Sequence, residues 1–163
     1  MNFPKLNKIG WQSLKLFFYL LNVGKTCKIA SWPRFGNGSY SLNFQLFEDE
    51  SSIIKTVSSD LIRMLSDAVK SKIYVYDSFF NILGTGGGSR PHNHVKRHDN
   101  AMELWKQKYS LVYYLSVEDQ DCSEPGVLKF YSPDEDILPC EGMIVIAPAT
   151  RQHSAINGGK TVE

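Results

Sequence analysis

Three of the four histidines in this chain lie in one stretch, SRPHNHVKRHD at 89–99, which ends in an aspartate. His92 and His94 are separated by one residue, so on a β-strand their imidazoles project from the same face. Imidazole binds Fe, Zn, Cu and Ni, but a stable site needs a third ligand from elsewhere. The fourth histidine, His153, lies far downstream and is the natural candidate. The pattern therefore predicts a metal site of His92, His94 and His153, with exposed loop histidines that bind no metal as the alternative.

Strands must bring these histidines together, and the sequence from residue 73 onward is typical of strands. Short segments rich in β-branched and aromatic residues alternate with Gly, Pro and acidic turns, which indicates an antiparallel sandwich or small barrel. The acidic run at 134–136 is predicted to be a solvated turn. GTGGGS at 84–89 lacks the Lys-Ser/Thr ending of a phosphate-binding loop and is predicted to be a loose turn before the histidines. The predicted strands are IYVYDSFF at 73–80, YSLVYYLSV at 109–117, GVLKFY at 126–131 and GMIVIA at 142–147.

Helices are predicted only in the first part of the chain. In residues 51–71 apolar side chains recur every three to four positions, which predicts an amphipathic helix that packs on a sheet, with Ser51 or Ser52 as its cap. Residues 11–22 predict a second helix, and the Gly-, Ser- and Pro-rich residues 31–41 predict a loop or linker. We therefore divide the chain into an N-terminal helical extension at 1–30 and a main domain at 31–163.

Composition argues against two classes of partner. The net charge is +1, so no broad basic surface for nucleic acid is expected. The longest apolar run, at 14–23, is shorter than the roughly 20 residues that span a bilayer, and no membrane partner is expected. Cys27, Cys122 and Cys140 are odd in number and widely spaced, which favours reduced thiols and a cytoplasmic location.

The order of motifs resembles one known superfamily. G-x4-H-x-H is followed by YSLVYYLS, PGVLKFYSP, LPCEGMIVIAPA and HSAINGG, over roughly residues 40–163. This order is similar to that of the Fe(II)- and 2-oxoglutarate-dependent dioxygenases, in particular phage and marine-bacterial members whose first metal motif reads H-x-H. The resemblance implies a mainly β fold, a double-stranded β-helix (jelly roll) with supporting N-terminal helices. It also implies Fe(II) and 2-oxoglutarate as cofactors, and hydroxylation of a small molecule or protein side chain with O2.

By position, the resemblance assigns three metal ligands. His92 matches the first histidine of the family motif, His94 its acidic position, and His153 its distal histidine. The family's usual set is two histidines and one carboxylate. Either this site has three histidines, or Asp99 supplies the carboxylate; we rank His94 ahead of Asp99. His98 is then a second-sphere or surface residue.

The cofactor-binding residues are less clear from the resemblance. The family binds the far carboxylate of 2-oxoglutarate through an Arg on the last core strand, about ten residues past the distal histidine, where this sequence has Glu163, its last residue. The expected last strand is therefore missing, as in a truncated chain, and a truncated chain could be inactive. Arg151 or Lys160 could substitute, Arg90 could contact an anion on the face of His92, and either Tyr113 or the adjacent Tyr114 could donate to the keto acid.

Two other classes of protein fit the same strands. Cupins share the jelly roll and an H-x-H motif, but the segment between Gly142 and His153 is longer than their second motif would allow. A non-catalytic jelly-roll interaction domain that has lost its cofactor site is the second alternative.

Overall fold

The computed structural model describes residues 38–40, 45–84, 86–117 and 126–157. Contacts divide them into two compact units, one within 40–81 and the other formed by 38–39 and 82–157. The predicted helix at 11–22 and the predicted boundary at residue 30 lie outside the described residues, so both stay predictions.

The first unit contains α1, Ser52–Val69, as predicted from the apolar pattern. Ile54 and Leu61 are buried on one face of this helix, with Ser58 between them. A 3-10 helix, Leu46–Glu48, precedes α1. Ser51 is the N-cap residue, as expected, but its side chain makes no capping hydrogen bond.

The segment after α1 differs from the prediction. Residues 73–80 were expected to form a strand, but the described residues give this segment only an isolated parallel bridge between Gln45 and Ser78. Tyr74 and Tyr76 are exposed. Alternating β-forming residues make a strand only where a neighbour supplies backbone partners along its length. The prediction of a strand here was wrong.

The remaining elements are short. Their bounds are β1 (Gly38–Tyr40), β2 (Asn81–Leu83), α2 (Arg97–Ala101), a 3-10 helix (Leu104–Lys106), β3 (Tyr109–Tyr113), β4 (Val127–Phe130), β5 (Glu135–Ile137), β6 (Ile144–Pro148) and β7 (His153–Ile156).

The strands predicted near β3, β4 and β6 are confirmed, although β3 is shorter than expected. The acidic run predicted to be a turn lies largely in β5, where Leu128 pairs with Ile137 and Lys129 with Asp136. The predicted loop at 31–41 contains β1, which pairs with β2.

Antiparallel pairs in the second unit are nested along the chain. The innermost pair is β4 with β5, and β3 with β6 encloses it. Residues 86–92 then pair with β7 outside both. In addition β4 pairs with β7, so that Phe130 lies opposite His153 and the order β5-β4-β7 forms one sheet. The second unit is thus built mainly of small antiparallel sheets.

The core of the second unit lies between β3-β6 and β5-β4-β7. Leu128, Phe130 and Ala147 are buried at its centre, and Tyr114, Ile137, Val145 and Ala155 pack against them. Because side chains alternate along a strand, His153 projects from the same face of β7 as Ala155, toward this core. Among the described residues, no helix combines the length and apolar character needed to cross a membrane.

Candidate metal centre

The histidine segment, residues 86–94, runs antiparallel to β7 on the side away from β4. Gly86 donates to the carbonyl of Asn157 at 3.1 Å, and Ser89 to that of Ala155 at 2.8 Å. His92 and His153 exchange both backbone hydrogen bonds, each 2.9 Å long. Pairing with β7 therefore places His92 directly opposite His153.

A β-bulge in this segment determines the direction of His92. Gly88 pairs with Ile156 and His92 with His153, so the chain advances four residues on one side and three on the other. If regular pairing continued from Gly88 and Ile156 with no bulge, His92 would lie opposite Gln152, and its imidazole would project from the face opposite that of His153. One bulged residue thus brings both imidazoles to the same face of the sheet.

The position of Gly88 permits this close pairing. A Cβ at residue 88 would lie 2.3 Å from the carbonyl oxygen of Ala155, far inside van der Waals contact. Only glycine lets the backbone of the histidine segment approach β7 so closely.

His94 is positioned by the turn after β6 and not by β7. Its N–H donates to the carbonyl of Ala149 at 3.0 Å, at the turn that follows β6. This turn also leads into His153, so the elements that carry the second and third histidines are joined directly.

The three imidazoles form a compact cluster. Ring centroids are 5.1 Å apart for His92 and His94, 4.5 Å for His92 and His153, and 5.0 Å for His94 and His153. One nitrogen from each ring lies within 4.8 Å of the other two. The Nε2 atoms of His94 and His153 are 3.2 Å apart. Two nitrogens bound at about 2.1 Å to one ion, with an angle of about 90–109°, are separated by about 3.0–3.4 Å, so this spacing suits two ligands of one metal.

Backbone carbonyls orient two of the rings. The Nδ1–H of His92 donates to the carbonyl of Arg90 at 2.7 Å, and the Nδ1–H of His153 to that of Arg151 at 3.1 Å. Each bond leaves Nε2 with the lone pair that binds a metal. Burial lowers the pKa of His153 below its usual value of 6.5, against the raising effect of the bond to Arg151. The buried imidazole is therefore neutral, as a ligand must be.

The donor set fits a transition metal. Three neutral imidazoles suit Fe, Zn, Cu or Ni rather than Ca or Mg, which prefer oxygen ligands. His92 and His94 are half-buried whereas His153 is buried, so the open side of the cluster faces away from the core. Three ligands on one side of an ion leave room for a bidentate co-ligand.

Asp99 does not belong to the cluster of possible ligands among the described residues. It lies in α2, where its Oδ2 accepts from Lys108 Nζ at 2.8 Å and from the N–H of Lys96 at 2.7 Å. Oδ1 lies 3.5 Å from Nε2 of His98, an exposed ring. The ion pair holds the pKa of Asp99 below its usual value of 3.8.

The other candidate residues are dispersed. The Arg90 side chain is exposed, whereas its carbonyl accepts from His92. Tyr114 packs against the core, where burial raises its pKa to about 12; alternation directs the adjacent Tyr113 to the opposite face of the strand. Asn157 donates from its amide to the carbonyl of Leu83 at 2.8 Å. Lys160 lies outside the described residues.

Arg151 has a role in this structure that sequence reasoning did not predict. Its guanidinium lies 4.3 Å from the ring centre of Phe130 and donates to Glu135 at 2.7 Å. Phe130 in turn packs on the imidazole of His153, with centroids 5.8 Å apart. The stack supports the buried histidine from the side of β4. The buried Nε of Arg151 has no hydrogen-bond partner, and the aromatic face below the guanidinium compensates in part.

No family model matches this chain, and a search of curated proteins found no match. The chemistry of the site therefore has to be argued from its own geometry.

Proposed function

We propose that this protein is a jelly-roll oxygenase that binds Fe(II) through His92, His94 and His153 and depends on 2-oxoglutarate. The observation that carries the proposal is the convergence of these three imidazoles, with two Nε2 atoms 3.2 Å apart and two Nδ1–H groups bonded to carbonyls. His94 and His153, which are 59 positions apart in the chain, meet here, as a metal site requires.

Nested pairing supports the jelly-roll interpretation. A jelly roll is a long antiparallel ribbon wound into two packed sheets. Such a ribbon produces the observed order, with β4-β5 inside β3-β6 and that pair inside the pairing of 86–92 with β7. In this interpretation, winding of the ribbon brings β4 beside β7, where the two strands pair.

The chain's own groups would perform three tasks. His92, His94 and His153 hold the metal as neutral ligands, and the carbonyls of Arg90 and Arg151 fix two of the rings. The apolar core behind His153, formed by Val112, Leu128 and Phe130, keeps water from that side of the site. When bound, Fe(II) with 2-oxoglutarate and O2 supplies the oxidation of a C–H bond. The substrate class is a small molecule or a protein side chain.

Charge supports an anionic co-ligand. Three imidazole ligands would leave both positive charges of a divalent ion uncompensated, and the described cluster contains no carboxylate. 2-Oxoglutarate, which would chelate through its keto oxygen and one carboxylate, would supply one negative charge at the metal.

A cupin-type metal protein is the second candidate, because the same three histidines could bind a metal ion in such a protein. Such a protein binds its metal through histidines and does not need 2-oxoglutarate. The co-ligand separates the two functions.

The test is turnover of 2-oxoglutarate by the purified protein. We expect succinate formation that requires Fe(II) and is lost in His92→Ala and His153→Ala but kept in His98→Ala, whose ring is exposed. With Fe(II) present, 2-oxoglutarate at a hundredfold over its Kd would also stabilise the protein by about 2.7 kcal/mol. Metal binding without succinate formation or stabilisation by 2-oxoglutarate would favour the cupin-type function.

A further inference from the structure

Asp99 is the centre of a buried network beside the metal centre. The residue is 2% exposed, and its Oδ2 accepts from Lys108 Nζ at 2.8 Å and from the N–H of Lys96 at 2.7 Å. The Lys108 side chain is itself only 17% exposed. A charged pair that is so little exposed has a fixed geometry, because neither partner has water to replace the other.

The network continues to His94 through the backbone. The carbonyl of Lys108 accepts from the N–H of Ala149 at 2.8 Å, and the carbonyl of Ala149 accepts from the N–H of His94 at 3.0 Å. Ala149 is 1% exposed. Asp99 therefore reaches His94 by two routes, through Lys96 two residues along the chain and through Lys108 and Ala149 across the fold.

His94 depends on this network in a way that His92 does not. His92 and His153 exchange a pair of backbone hydrogen bonds, which fixes one directly against the other. His94 has left the pairing with β7, and its backbone contact is with the turn after β6. Displacement of that turn or of the segment before α2 would change the 3.2 Å separation between the Nε2 atoms of His94 and His153.

We infer that Asp99 is a positioning residue, which holds His94 at metal-binding distance from His153 through Lys108 and Ala149. The inference rests on the proposed metal site. It gives the carboxylate of the SRPHNHVKRHD stretch a function other than ligation. Removal of a group that orients a metal ligand lowers metal affinity by about 10–100-fold. Asp99 acts on His94 only through Lys108 and Ala149, so we expect a loss at the lower end of that range.

The experiment measures Zn(II) affinity by calorimetry in wild type, Asp99→Asn, Lys108→Met and Asp99→Glu. Asp99→Asn and Lys108→Met should each bind about tenfold more weakly, and Asp99→Glu, which keeps the charge, should recover part of the loss. Lys106→Met is the matched control, because Lys106 pairs with exposed Glu103 and lies two residues from Lys108. It should bind as wild type does.

A second readout uses the metal-free protein. The imidazole resonances of His94 should shift in Asp99→Asn and stay in place in Lys106→Met. If the wild type binds no Zn(II), the proposed function fails, and these resonances still test the positioning role. Unchanged His94 resonances, or a lowered melting temperature with Zn(II) affinity within twofold of wild type, would overturn the inference.

Discussion

The two halves of the stretch SRPHNHVKRHD differ in backbone and in partners. His92 and His94 precede α2, and their rings meet that of His153. His98 and Asp99 lie in α2, where Asp99 accepts from Lys108 and from the start of its own helix. Of four potential ligands within eight residues, two thus join a histidine cluster, one forms a buried ion pair and one, His98, is exposed.

This difference shows that the density of ligand-type residues in a sequence does not define a site. The change from extended to helical backbone near residue 96 sends the side chains before and after it in different directions. In the first half, His92 depends on strand pairing with β7, and the second half depends on a charge pair. Each dependence can be broken separately.

The largest expected effect is the difference in Zn(II) affinity between a histidine substitution in the first half and one in the second half. His94→Ala removes one of the three proposed ligands. Zn(II) affinity should fall by more than about a hundredfold, which exceeds the loss caused by removing a group that only orients a ligand. His98→Ala removes an exposed ring of the same type, four residues away, and affinity should stay close to that of wild type. Calorimetry of both variants compares the halves directly. Equal losses would show that the ring of His98 also takes part in the site.

The pairing with β7 should be broken by Gly88→Ala. The added Cβ would lie 2.3 Å from the carbonyl oxygen of Ala155, so the segment must move away from β7. Overpacking of this kind costs about 1–3 kcal/mol, measurable by urea denaturation, and Zn(II) affinity should fall as His92 separates from His153.

Gly86→Asn is the control for that variant. Gly86 has a φ of +70°, which Asn tolerates, and a Cβ there meets no atom within 4 Å. It should cost about 1 kcal/mol or less and leave Zn(II) affinity unchanged. If Gly88→Ala behaved like Gly86→Asn, the close approach to β7 would not be needed for the site.

The sequence predicted the elements whose evidence is local. The helix α1 follows from its apolar repeat, and β4 and β6 from β-branched runs bounded by turns. The strand expected at 73–80 failed because composition does not reveal whether a partner strand is present. β5 was missed because its acidic residues are typical of turns, whereas pairing with β4 places Asp136 opposite Lys129.

Prediction of the site had the same limits. Spacing and residue type indicated His92, His94 and His153, and these rings do converge. Nothing in the sequence marks the bulge before His92, since any residue between Gly88 and His92 could be the additional one. The partner of Asp99 is a lysine nine residues away, and its direction depends on a helix of five residues too short to have a pattern.

The smallest effect concerns the second half alone and appears only in acid. The hydrogen bond from Lys108 lowers the pKa of Asp99 below 3.8, so the unfolded chain binds the proton more tightly than the folded one. The stabilisation is complete above the unfolded pKa and is lost as the pH falls through the folded pKa. Urea denaturation between about pH 6 and pH 2 should show wild type more stable than Asp99→Asn above this window and the two converging below it. In Glu103→Gln, which removes an exposed carboxylate paired with Lys106, the acid dependence should stay close to that of wild type, since surface pairs contribute little. A difference in the free energy of unfolding between wild type and Asp99→Asn that is the same at every pH would mean that the amide destabilises the protein by its packing geometry. The charge of Asp99 would then not be what holds the second half in place.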